Sequence, residues 1–250
     1  MAKIISLHSY RGGTGKSNLT ANLAACLAQG RKRVAVVDTD IQSPGIHMLF
    51  GIEDTTELRT LNDYLWERCG VEDIATEVTP DVIQPHGGRV WLVPSSLQAG
   101  EIAKVLREGY NVGLMNDGLQ DLIDHLALDY LLIDTHPGLN EETLLSIAIS
   151  DVLAVLLRPD RQDFQGTAVT VEIARKLDVR QLVMVLNKVL PSVLARGFVE
   201  QVTRAYGAPI AGVLPESPEM LELGSSGLFT LQHPDHPLSA EIRAVAARLA

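Results

Sequence analysis

Ile4-Ile5-Ser6-Leu7 is an apolar run that leads through His8 and Ser9 into Tyr10-Arg11-Gly12-Gly13-Thr14-Gly15-Lys16-Ser17, and a helix-forming run from Leu19 to Ala28 follows. A strand, a glycine-rich turn, Gly-Lys-Ser and a helix in succession form a phosphate-binding loop. Glycines let backbone N–H groups point inward with no Cβ in the way, which makes a nest for a polyanion. Lys16 places a cation on the outermost phosphates, and the hydroxyl of Ser17 is a hard oxygen ligand suited to Mg²⁺. The helix that starts near Ser17 adds the positive end of its dipole. Gly12, Gly13, Thr14, Gly15, Lys16, Ser17 and Asn18 are therefore the expected cradle for a nucleotide.

Outward from this stretch, apolar runs recur and each ends in a polar residue. Arg33 to Val37 leads to Asp38, Arg89 to Val93 to Pro94, and Tyr130 to Ile133 to Asp134. Val152 to Leu157 leads to Arg158, Leu182 to Leu186 to Asn187, and Ile210 to Leu214 to Pro215. Near-continuous apolar runs suit strands buried on both faces of a parallel sheet. Helical patterns separate them, as in Leu114 to Leu126 and Gln162 to Leu177. The expectation is a three-layer α/β fold, a mostly parallel, doubly wound sheet of six to eight strands of the P-loop NTPase type. Ligands then bind beyond the carboxyl ends of the strands. Residues 53–88 read as an insertion, helical from Leu61 to Arg68 and irregular afterwards.

The chain of 250 residues is 46% apolar and 21% charged, the balance of one globular domain spanning 1–250. No apolar run approaches the roughly 20 residues that cross a bilayer. Met1-Ala2-Lys3 passes straight into the first strand without a secretory leader, so the expected compartment is the cytoplasm. Cys26 and Cys69 are the only cysteines and have no metal-ligand spacing. A formal charge of −10 argues against a protein wholly dedicated to nucleic acid. Between Arg158 and Arg204, however, eight Lys/Arg stand against five Asp/Glu. That small excess is compatible with weak, salt-sensitive contact with duplex DNA and does not indicate it.

The loop departs from the common Walker pattern, which has glycine where Tyr10 stands. A basic residue followed by Gly-Gly-x-Gly-Lys-Ser resembles the deviant Walker loop of the ParA/MinD family of dimeric ATPases. In that family the first basic residue, here Arg11, is a lysine that reaches the partner subunit's phosphates. Arginine keeps the charge but is longer and planar. Asp38-Thr39-Asp40 is similar to the family's first switch. The resemblance implies that Asp38 supports the metal shell and Asp40 orients the attacking water. Leu131-Leu132-Ile133-Asp134-Thr135-His136-Pro137-Gly138 is similar to the Walker B strand, with Asp134 supporting Mg²⁺. His136 departs from the family's Thr-Pro-Pro-Gly or Ser-Pro-Ala-Gly tract, which has Pro at this position; it has no Cys or His partner nearby and reads as a turn residue. Asn187-Lys188 and Pro215-Glu216 match the segments that flank the adenine. Arg158 and Arg161 read as solvated loop arginines, or as part of a dimer or DNA face.

The iron–sulfur carriers of this fold need a later Cys-x-x-Cys, which is absent. Leu238, Ile242, Val245 and Leu249 have the spacing of a packing helix rather than the membrane-targeting helix of MinD-like members. The resemblance implies a switch ATPase that binds ATP with Mg²⁺ and forms a homodimer around the nucleotides. It would position or partition DNA, a division site or a protein assembly through an adaptor or cargo protein. The alternative is a nucleotide-binding adaptor that dimerises on ATP with little or no hydrolysis.

Overall fold

A computed structural model describes residues 2–250. Eight strands, β1(Lys3–His8), β2(Arg33–Asp38), β3(Thr76–Glu77), β4(Arg89–Val93), β5(Tyr130–Asp134), β6(Val152–Leu157), β7(Gln181–Val189) and β8(Ile210–Pro215), form one sheet. Their order is β3-β4-β2-β5-β1-β6-β7-β8. All neighbours pair in parallel except β3, which runs antiparallel to β4 at one edge. Among the described residues the α-helices are α1(Lys16–Gln29), α2(Leu61–Leu65), α3(Ala99–Glu108), α4(Val112–His125), α5(Glu141–Ile149), α6(Arg161–Lys176), α7(Pro191–Leu194), α8(Phe198–Tyr206), α9(Pro218–Leu223), α10(Phe229–Gln232) and α11(Pro237–Leu249).

The alternation of side chains along each strand divides the core into layers. Ile5, Leu7, Val34, Val36 and Leu132 pack with α1, α10 and α11 on one face. Ile4, Ala35, Val37, Leu131 and Ile133 meet α2 and α4 on the other, which Leu153, Val155 and Leu157 continue toward α6 and α8. The expected three-layer, doubly wound sheet is therefore present. Leu238, Ile242, Val245 and Leu249 of α11 are all buried against β8 and α1, as their spacing predicts. Among the described residues, no helix is long and apolar enough to cross a membrane.

Two local differences from the sequence reading have plain causes. The helix expected from Leu61 to Arg68 stops at Leu65, and Glu67 then turns through a positive φ of 54°. The two-residue β3 is too short to carry a periodic signal, and its antiparallel pairing to Leu92 and Trp91 comes from tertiary docking.

Register decides where the polar strand ends meet. Leu7 and Asp38 are both partners of Asp134, on either side of β5. The loop after β1 therefore opens beside two aspartates at one level of the sheet. Tyr10, at the position of the missing Walker glycine, is accommodated by a second glycine. A Cβ on Gly166 of α6 would lie 1.9 Å from the Tyr10 ring. Gly166→Ala is expected to cost about 1–3 kcal/mol through overpacking. In a Tyr10→Gly background the same change should be neutral, or stabilising by up to ~1 kcal/mol from helix propensity; chemical denaturation of the four proteins measures both effects.

Candidate functional site

The loop builds its cradle from local chain chemistry. Gly13 and Gly15 adopt positive φ of 75° and 88°, the left-handed region open to glycine. Gly15 caps α1 without any side-chain hydrogen bond, and the first turn of α1 holds no acidic residue. The N-terminal N–H groups of that helix are thus left for an anion. A cavity of about 350 Å³ is lined by the loop from Gly12 to Asn18 together with Ser9, Asp40, Ser43 and Gly45. A second cavity of about 190 Å³ shares Gly15, Asn18 and Ser225 with it and continues to Asn187, Lys188, Pro215 and Glu216. The two tracts matched to phosphate and adenine thus form one continuous cleft.

Lys16 is turned inward. Its Nζ lies 2.9 Å from Asp134 Oδ1, with both side chains almost wholly buried. The Thr20 hydroxyl is 3.3 Å from the same carboxylate oxygen. Asp38 is fully buried, and its two oxygens accept the N–H groups of Asp40 at 3.0 Å and Gly45 at 3.3 Å. Burial, then the neighbouring Asp134 and Asp40, push its carboxyl well above the usual carboxylate range. Two buried carboxylates paired at neighbouring strand ends suit a divalent cation, which would relieve their repulsion. Among the described residues no three His, Cys, Asp or Glu side chains form a metal cage. Mg²⁺ does not need such a cage, since it relies on a few carboxylates, a hydroxyl, water and phosphate oxygens.

Asp40 is held by three donors on one oxygen. Oδ1 accepts the Ser43 N–H at 3.1 Å, the Ser43 hydroxyl at 2.9 Å and His136 Nδ1 at 2.6 Å. His136 is therefore more than the turn residue expected; no sequence spacing connects positions 40 and 136. The Asp40–Ser43 contact, three residues apart, was within reach of local turn patterns.

Arg11 points away from its own cradle. Its Nη1 lies 3.3 Å from Asp160 and 3.7 Å from Asp163, and its side chain is 40% exposed. Arg158 is not the solvated arginine expected. It grips the buried Asp163 with Nε at 2.8 Å and Nη2 at 3.2 Å, and only Arg161 stands exposed. Asn187 lines the cleft, but its amide donates to Thr14 O at 2.7 Å and its Oδ1 accepts the Lys188 N–H. It braces the loop as well as facing the base region.

His8, unremarked in the sequence, is fully buried at the end of β1. Its Nδ1 is 2.8 Å from the Thr135 hydroxyl, which also reaches Leu7 O at 3.0 Å. Nε2 has no partner among the described residues. If the hydroxyl proton goes to Leu7 O, Nδ1–H donates to Thr135 and Nε2 keeps only a lone pair. Burial first, then Lys16 and His136, hold its pKa at about 3.

A glycine-rich anion cradle with an inward lysine, at the carboxyl edge of a parallel sheet and flanked by two strand-end aspartates, defines a P-loop NTPase. Over residues 1–250 the sequence matches the family described as ParA, NUBPL iron-transfer P-loop NTPase, and the chain belongs to that ParA family. It is 28% identical to an uncharacterized ATP-binding protein of Methanocaldococcus jannaschii, across 100% of this chain and 88% of that one. It is 27% identical to an iron-sulfur cluster carrier protein of Saccharolobus solfataricus, across 98% of this chain and 82% of the relative. Its fold resembles the septum site-determining protein MinD of Pyrococcus horikoshii, solved with Mg-ADP. The TM-score there is 0.81 at 20% identity, covering 100% of this chain and 96% of that one.

Removing Lys16 strands the buried carboxylate of Asp134. Lys16→Ala should cost the nucleotide-free protein about 3–5 kcal/mol. Adding Asp134→Asn should recover much of that loss in a denaturant double-mutant cycle. His8 gives a pH signature. Its folded pKa of about 3 lies below the ordinary 6.5, so the unfolded chain takes up the proton first. Its contribution to stability is complete above pH 6.5 and falls below it by at most about 1.4 kcal/mol per pH unit. Between pH 7 and 5, the melting temperature of wild type should drop more steeply than that of His8→Asn.

Proposed function

We propose that the protein is an ATP-dependent switch: it dimerises on ATP, hydrolyses it, and positions or partitions a cargo through that cycle. One observation carries the reading. The loop has two cations, and only Lys16 enters the cradle; Arg11 stands exposed on its outer rim and takes no part in lining the cavity. A basic residue so placed is free to serve the phosphates of a second copy once Asp160 and Asp163 release it. That is the role implied for this position by the resemblance to the dimeric ATPases.

The cleft suits ATP with Mg²⁺, and the MinD structure solved with Mg-ADP supports an adenine nucleotide and Mg²⁺ there. Ser17, Asp38 and Asp134 would hold the ion, which when bound neutralises phosphate charge. Lys16 would leave Asp134 for the outermost phosphates and, with Arg11 in trans, stabilise charge on the transferring group. Asp40 would orient the attacking water. Gly12 to Asn18 would cradle the phosphates, and Asn187, Lys188, Pro215 and Glu216 would enclose the base.

The related iron-sulfur cluster carrier raises a second reading, which the cysteines do not favour. Cys26 packs against the core on the α1 face of the sheet and Cys69 against the opposite face. An adaptor or cargo protein is the expected partner. Part of the basic excess gathers in one cleft, lined by Arg161 and Arg196, with Arg204 in the adjoining one. Any non-specific contact with duplex DNA would fall there.

Sedimentation with ATP, beside phosphate release, tests the switch. Wild type should dimerise and turn over. Arg11→Ala should bind ATP yet stay monomeric, and Asp40→Ala should accumulate dimer without releasing phosphate. A wild type that dimerises but releases no phosphate would favour the adaptor reading. An Arg11→Ala dimer would assign the trans contact to another cation.

A further inference from the structure

We propose that His136 is a positioning residue for ATP hydrolysis: by filling Oδ1 of Asp40 together with Ser43, it leaves Oδ2 as the oxygen that orients water. The proposal rests on the turnover reading above and adds a residue to it.

Three donors converge on Asp40 Oδ1, and no protein group hydrogen-bonds Oδ2 among the described residues. A carboxylate has no proton to give, so the 2.6 Å contact is Nδ1–H of His136 donating to Asp40. Asp40 lines the cavity formed by the loop from Gly12 to Asn18. With Oδ1 saturated and its plane fixed, the side chain can offer its remaining oxygen only from one direction. Rotation about its last bond would break three hydrogen bonds at once.

His136 itself stands on a fixed base. Thr135 N–H donates to Leu7 O at 3.3 Å, and Gly138 N–H donates to Ser9 O at 3.1 Å. The Thr143 hydroxyl of α5 donates to the His136 carbonyl at 3.3 Å. The segment after β5 is thus tied to the end of β1 and the start of the loop, and His136 extends that frame to the segment after β2. A water oriented by Asp40 would inherit its direction from the phosphate-binding strand. Ser43, by contrast, is itself exposed and only three residues from the buried Asp40, so it supplies no such anchor.

The test is steady-state phosphate release beside ATP binding by calorimetry. His136→Phe should lower kcat ~10- to 100-fold, the scale of a displaced reacting group. KM and ATP affinity should stay within about twofold, since no ground-state phosphate contact is lost. His136→Asn, whose amide N–H falls close to the Nδ1 position, should recover most of kcat, whereas His136→Gln should not. A His136→Phe enzyme with kcat within about twofold of wild type overturns the proposal. An Asn variant as impaired as the Phe variant does so as well, because it reduces His136 to packing. Wild type that releases no phosphate would instead bring down the turnover reading and this inference with it.

Discussion

The ion pair between Lys16 and Asp134 ties together parts of the chain more than a hundred residues apart, deep at the carboxyl edge of the sheet. A lysine there needs a counter-charge because burial disfavours a lone ammonium, and the nearest strand end supplies it. Asp134 in turn lies level with Asp38 of the neighbouring β2, and burial first, then the crowding of the two carboxylates, raises the proton affinity of Asp38. One cation therefore balances two acidic strand ends. The site holds this electrostatic load before any nucleotide arrives, which is the common condition of sites that bind polyanions and divalent ions together.

Around that centre, the two cations of the loop are separated by direction. Lys16 follows the helix axis inward, while Arg11 precedes the glycines and emerges on the side of α6. There Asp160 caps the helix and also pairs with Arg11, and Asp163 is already gripped by Arg158. The pairing of Arg11 is exposed and single-pronged, so solvent screens it and little energy opposes its release. Arg158 makes the bidentate, part-buried contact and is the fixed member of the pair. The same loop thus carries one cation bound by structure and one bound loosely, a division that suits a contact made only between subunits.

Polar groups also reach the core without function being spent on them. The Ser6 and Ser150 hydroxyls meet each other and the Ser146 carbonyl beneath the sheet, and His8 with Thr135 extends this seam toward the loop. These side chains point to the face of α5, on strands otherwise filled by aliphatic residues. Neutral hydroxyls and a neutral imidazole allow close strand–helix approach with satisfied hydrogen bonds, except at Nε2 of His8, where the other tautomer would leave an unpaired buried N–H.

The order of apolar runs and strand-end polar residues determined the fold class, because a doubly wound parallel sheet needs strands buried on both faces and loops at one edge. The loop Gly12 to Ser17, Asp38, Asp40 and Asp134 were legible for the same reason: each chemical requirement lies within a few residues of a strand end. The packing role of α11 was legible from its apolar spacing alone. What only tertiary structure decided are the meetings between strand ends whose separation carries no periodicity. Leu7, Asp38 and Asp134 become neighbours through register; His136 reaches Asp40, Arg11 reaches α6, and Gly166 yields to the Tyr10 ring only after the sheet has closed. Sequence carries the requirements of each turn and helix locally, whereas hydrogen bonds across 96 or 149 positions are chosen by the one packing of the layers that buries all the strands at once.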